Sequence, residues 1–245
     1  MSEADEWRGL AAFTPARVAL GRAGNGLPTK RVLEFQLAHA RARDAVQAPF
    51  DAAAIARALA PAPTILLETQ AVSRLAYLMN PDCGRTLSAA SRKRLTAGRY
   101  DAALAIADGL SSTALHAHGA ALAASIFSHM PAIRWASTSI VTNGRVAIGD
   151  EIAQSLGARF AVVMIGERPG LSAADSVGLY LTLSPVAGVT TDAMRNCISN
   201  VRPGGLALDE AAHRLAWLMS QALRLGVTGV GLKEDAPDSL TDGTA

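Results

Sequence analysis

The sequence predicts an α/β protein, a parallel sheet with helices on both faces behind a helical N-terminal region. Two observations carry this. Short apolar runs end in turn residues, the clearest being Phe160 to Ile165, F-A-V-V-M-I, closed by Gly166. Such a run reads as a strand buried on both faces, the pattern of a parallel sheet. From about residue 100 these runs alternate with helical stretches, the order of βαβ units. The 245 residues, half of them apolar, suffice for one full core.

Taken in order, residues 1–29 read as an extended surface arm. Phe13, Val18 and Leu20 offer little core, and Pro15, Gly21, Gly24, Gly26 and Pro28 break regular structure. The G-R-A-G-N-G run lacks the glycine order and the preceding strand of a dinucleotide-binding loop. A helix follows from Thr29 or Lys30 to Val46, with Thr29 as N-cap and an apolar stripe of Val32, Leu33, Phe35, Leu37 and Ala40. Its charges, Lys30, Arg31, Arg41 and Arg43 with His39, fit a solvated face and an interface equally. A second helix covers 51–60 and stops at Pro61. Ile65 to Leu67 form a short strand, 69–79 a helical stretch, Asn80-Pro81-Asp82 a turn, and Leu87 to Leu95 a short helix.

Beyond Tyr100, Leu104 to Ala107 form a strand ending in Asp108-Gly109. Ser111 or Ser112 caps the next helix, which runs to Met130. Ser139 to Thr142 is a strand closed by Asn143-Gly144, and a helix over 149–156 stops at Gly157. The central strand at 160–165 and another at Gly178 to Leu183 follow. Arg195 to Pro203 reads as a turn-rich polar stretch. Leu208 to Leu225 is an amphipathic helix with Asp209 near its start and Gly226 past its end. The tail after Gly231 reads as frayed. The expectation is a Rossmann-like α/β domain over 100–245, preceded by an arm and helical region over 1–99. Its strand ends bring together Asp108-Gly109, the turn from Asn143 to Val146, and Gly166 to Pro169, where open sheets bind ligands.

A net charge of +2 gives no signature of nucleic-acid or membrane binding. No run of 18 apolar residues exists, and the start, M-S-E-A-D-E-W, is unlike a signal peptide. Cys83 and Cys197 lack metal-ligand spacing and are expected to be reduced, in the cytoplasm. Asp108, Ser111 and His116 have the residue types of a hydrolytic triad, but a five-residue separation does not place Ser111 and His116 on one helix face. Among His116, His118 and His129 no pair has the i, i+4 spacing of a helical metal site. The arginines and asparagines of the 195–203 stretch supply donors for a ligand, and for Cys197 packing and ligand contact stay equally open.

Three motifs then carry a resemblance: A-D-G-L-S at 107–111, I-G-E-R-P-G-L at 165–171 and R-N-C-I-S-N-V-R-P at 195–203. With the arm, T-P-A-R-V-A-L-G-R-A-G-N-G-L-P-T at 14–29, and F-Q-L-A-H-A-R-A-R-D-A-V at 35–46, the chain resembles the small (light) subunit of ethanolamine ammonia-lyase from about residue 14 to 232. The resemblance implies a lyase that turns ethanolamine into acetaldehyde and ammonia with adenosylcobalamin. It implies a large barrel subunit as partner, which holds the substrate, and a cofactor lying between the two chains. This chain would be inactive alone, with no catalytic residue and no metal ligand of its own. The family's cofactor contacts fall on Val146, Glu167 and Cys197. The histidine motif D-x-H-x-x-G is absent, which fits a cofactor that keeps its own base on cobalt. The match begins within about fifteen residues of Met1, whereas microcompartment-linked members carry a longer extension. The cytoplasm is the expected location and a bacterial microcompartment the alternative. Two rival functions stay open: a stand-alone α/β enzyme with a nucleotide or acyl substrate, and an assembly subunit that does not touch the cofactor.

Overall fold

The computed structural model describes residues 9–14 and 16–236. The acidic start and the end of the polar tail lie outside the described residues, as does Pro15 of the arm.

The chain is α/β, as expected. Helices α1 (Thr29–Gln47) and α2 (Ala52–Ala58) precede strand β1 (Thr64–Glu68). Short helices α3 (Arg74–Met79) and α4 (Ala89–Arg92) lead to β2 (Tyr100–Ala107). Then come α5 (Ser112–His129), β3 (Thr138–Thr142), α6 (Ile148–Leu156), β4 (Ala158–Gly166), β5 (Val177–Leu183), β6 (Asn196–Val201) and α7 (Leu208–Leu225). Among the described residues the six strands form one sheet in the order β1-β3-β2-β4-β5-β6. One strand of that sheet, β1, therefore comes from before residue 100.

The sheet departs from the all-parallel expectation at one side. β1, β3, β2 and β4 pair parallel, but β4–β5 and β5–β6 are antiparallel. The physical reason is the connection. A parallel return needs a crossover, usually a helix, and residues 167–176 between β4 and β5 contain none. The 195–203 stretch is also not mainly turn, because most of it, Asn196–Val201, is β6, paired with β5.

The pleat explains the layers. In β2, Ala102, Leu104 and Ile106 face the layer of α2, α5 and α7, while Ala103, Ala105 and Ala107 face α6. β4 repeats the pattern, with Phe160, Val162 and Met164 on the first side and Ala161, Val163 and Ile165 on the second. The small residues on the α6 side let that helix lie close. A Cβ on Gly149 would collide with the Val163 side chain.

The predicted helix ends are met in part. Asp51, Ser73, Ser88 and Ser111 each accept from a backbone N–H in the following helix turn. Thr29 is not a cap: α1 begins at Thr29, and Pro28 in the cap position makes no side-chain bond. Gly157 and Gly226 end α6 and α7 in the left-handed conformation, as expected. The helical stretch at 69–79 shortens to α3, because Thr69 leaves β1 to bridge Leu87.

Candidate functional site

From β2 the chain crosses through α5 to β3 on one side, then through α6 to β4 on the other. This reversal lies between β2 and β4, where the connections leaving the carboxyl ends diverge and open a crevice. Three connections meet there. Gly109 is left-handed at φ 56°, and a Cβ on it would collide with the Gly166 carbonyl. The Leu110 N–H donates to that same carbonyl at 2.9 Å, locking the β2 and β4 exits together. The turn after β3 is drawn in by Asp108, whose Oδ1 accepts from the Gly144 N–H at 3.0 Å.

Asp108 is thus a structural carboxylate. Its other oxygen pairs with Arg74 Nη1 at 3.2 Å, and Arg74 also donates to the Gly109 carbonyl at 2.8 Å. Burial pushes the Asp108 carboxyl up to about 6 against the pull of Arg74 and the backbone donors. Tyr77 is fully buried under this edge, with Arg74 and Arg145 over its ring at 4.9 and 4.1 Å from the centroid. Its hydroxyl donates to the Gly144 carbonyl at 3.1 Å. Burial raises its pKa, overriding the two arginines.

Over this scaffold lies a groove of about 380 Å³, lined by Tyr77, Arg145, Val146, Glu167, Arg168 and Tyr180 among others. A second lobe of about 370 Å³ shares Arg145, Val146 and Tyr180 and continues toward Asp192. Val146 and Glu167, two of the three sequence-selected residues, therefore line one concavity. Glu167 Oε2 accepts from the Asn200 N–H at 3.0 Å, and among the described residues no donor reaches Oε1. Cys197 is not part of the groove lining. It is exposed on β6, directly opposite Tyr180 in the ladder, with its sulfur 3.2 Å from the Ser199 hydroxyl. Burial raises the Tyr180 phenol first, and Cys197 and Glu167 add to the shift.

Of the donor residues in the 195–203 stretch, Arg195 and Asn196 are committed internally, contrary to the role expected of them, whereas Asn200 is exposed and Arg202 half-buried. Arg195 is buried and forms a two-pronged pair with Asp150 at 2.6 and 2.7 Å. Asn196 ties Gly229 and Leu232, and Arg202 donates to Asn200. The triad is excluded: Ser111 caps α5 and donates to the Ala174 carbonyl, while His116 accepts from the Asp51 N–H. No group of metal-ligating side chains occurs among the described residues. Tyr77, Arg145 and Tyr180 were not singled out from the sequence. Arg145 lay inside the flagged turn after β3, but nothing in the sequence joins the two tyrosines to it.

The fold is an open α/β sheet, and its two-lobed groove lies at the reversal of the parallel strands, the position at which open sheets bind ligands. The family model described as ethanolamine ammonia-lyase light chain (EutC) matches residues 4–233. An ethanolamine ammonia-lyase small subunit of Ralstonia nicotianae is 50% identical over 240 residues, covering 94% of this chain and 88% of the relative. One from Pseudomonas fluorescens strain Pf0-1 is 49% identical over 94% of this chain and 87% of its own length. One from Azotobacter vinelandii is 48% identical over 97% and 91%. The chain belongs to the ethanolamine ammonia-lyase light-chain family.

Proposed function

We propose that this chain is the small subunit of an adenosylcobalamin-dependent ethanolamine ammonia-lyase, and that its groove covers one flank of the cobalamin while a large catalytic subunit covers the rest. The observation that carries this is the common concavity of Val146 and Glu167 at the strand reversal, with Cys197 one strand away across Tyr180. The donor set fits a corrin. Its peripheral carboxamides need acceptors for their N–H groups, and among the described residues one carboxylate oxygen of Glu167 has no donor. The size fits a shared site: pockets for drug-sized ligands measure about 300–1,000 Å³, and a corrin with its nucleotide exceeds a lobe of about 380 Å³.

When bound, adenosylcobalamin supplies the radical that begins the conversion of ethanolamine to acetaldehyde and ammonia. This chain binds and orients. Glu167 accepts from a carboxamide, the Val146 backbone meets the amide fringe, and the Cys197 thiol, on β6 beyond the groove lining, meets the outer edge of the cofactor. The chain is inactive without its partner and binds neither nucleic acid nor a membrane. It works in the cytoplasm, with a microcompartment as the alternative setting. No helix among the described residues is long and apolar enough to cross a membrane.

The test is a visible-absorbance titration of the co-expressed complex with adenosylcobalamin. Glu167→Ala is expected to weaken affinity about tenfold, the size of one hydrogen bond to a charged acceptor. An unchanged titration would remove Glu167 from the cofactor site.

A further inference from the structure

Arg145 stands in both lobes of the groove, and its guanidinium is held before any ligand arrives. It stacks 4.1 Å above the Tyr77 ring, and Nη2 donates to the Tyr77 carbonyl at 3.3 Å. The ring is itself fixed, buried and hydrogen-bonded to Gly144. Arg145 Nε is buried against this platform without a hydrogen-bond partner. Among the described residues, nothing accepts from Nη1 either. A neighbouring cation of the lining, Arg168, is exposed and has no such support among the described residues.

We propose that Arg145 is the donor half of a carboxamide clamp whose acceptor half is Glu167, a proposal that rests on the cobalamin reading above. The chemistry is complementary by type. A primary carboxamide presents one carbonyl acceptor and two N–H donors. Arginine only donates, and an ionised glutamate only accepts. Two such groups in one groove match the donors and the acceptor of an amide together, whereas the carboxylate of an acid would pair with Arg145 but meet Glu167 with like charge. Stacking on Tyr77 removes most of the rotamer freedom that a long side chain loses on binding, so the contact comes with little ordering cost.

Two corrins separate this contact from the alternative acceptor, the phosphodiester of the nucleotide loop. Cyanocobalamin carries both carboxamides and phosphodiester, and dicyanocobinamide keeps the ring carboxamides without the nucleotide. Both are titrated by visible absorbance into the complex with the large subunit, so no turnover is involved. Arg145→Met is expected to weaken both corrins by a similar factor, about tenfold. Arg145→Lys, which keeps the charge without the planar fork, is expected to lose a smaller factor for both. It carries the test if the methionine variant fails to melt and co-elute as the wild type does. Wild-type affinity in the variants overturns the proposal, as does a loss confined to cyanocobalamin, which assigns Arg145 to the phosphodiester. If the wild-type complex binds neither corrin, the cobalamin reading itself fails.

Discussion

Helices α1 and α7 are nearly equal in length, 19 and 18 residues, and both carry an apolar stripe, yet only α7 buries it. Ala211, Ala212, Leu215, Leu218, Met219 and Ala222 are all covered, against α5 and the sheet. In α1, Leu33 is 58% exposed and Leu37 52%, and Ala45 alone is buried. Helix α1 is held instead by polar contacts at its C-terminal end, where Arg74 Nε donates to the Val46 carbonyl and Ser112 to the Ala48 carbonyl just past the helix. The side chains repeat the contrast. Arg195 is spent on Asp150 inside the fold, while Arg145 is fixed but left open. An apolar stripe or a polar cluster read from the sequence thus does not say by itself whether the fold will cover it.

The largest effect should fall on the closed side. Leu215→Ala removes a fully buried side chain from the α7 layer and is expected to lower stability by about 2–5 kcal/mol, read by chemical denaturation. A loss below about 1 kcal/mol would mean that α7 is no better held than α1.

The next effect sharpens the polar side. Asp108 shares Arg74 with the end of α1, and its folded pKa is raised to about 6, above an unfolded value near 3.9. The protonated form is therefore favoured by the fold. The contribution of Asp108 is fully present below pH ~4 and is lost as pH rises through about 6. The loss should be on the order of 2–3 kcal/mol at most. Asp108→Asn should flatten this descending segment of the stability–pH curve relative to wild type; parallel curves between pH 4 and 7 would contradict it.

The smallest effect is expected on the open side. Leu33→Ser should change the stability of the isolated chain by less than about 0.5 kcal/mol, as for an exposed position, measured by thermal melting. A larger drop would show that the α1 stripe is covered after all.

Much of the sheet could be read before any coordinates. The runs ending at Ala107, Thr142 and Ile165 are strands, Ser111 starts a helix, and Gly157 and Gly226 end helices, because those signals act within a few residues. Glu167 was legible too, since a charge just past a buried strand stands out. Tyr77 and Tyr180 were not. One comes from a short helix before β2 and the other from β5, and only folding brings them to Arg145. The polar run at 195–203 misled for the same reason, because Asp150, which absorbs Arg195, lies 45 residues away.

By itself, then, the sequence determined every strand of the sheet but β6, the helix stops at Gly157 and Gly226, the family and two groove residues, all of them properties of local pattern or of inherited motif. The tertiary structure alone decided that β5 and β6 run antiparallel, that Arg195 is internal, and that Arg145 is held open on a tyrosine platform. Each of these depends on which groups distant in the chain satisfy one another once water is excluded, and no local pattern records that pairing.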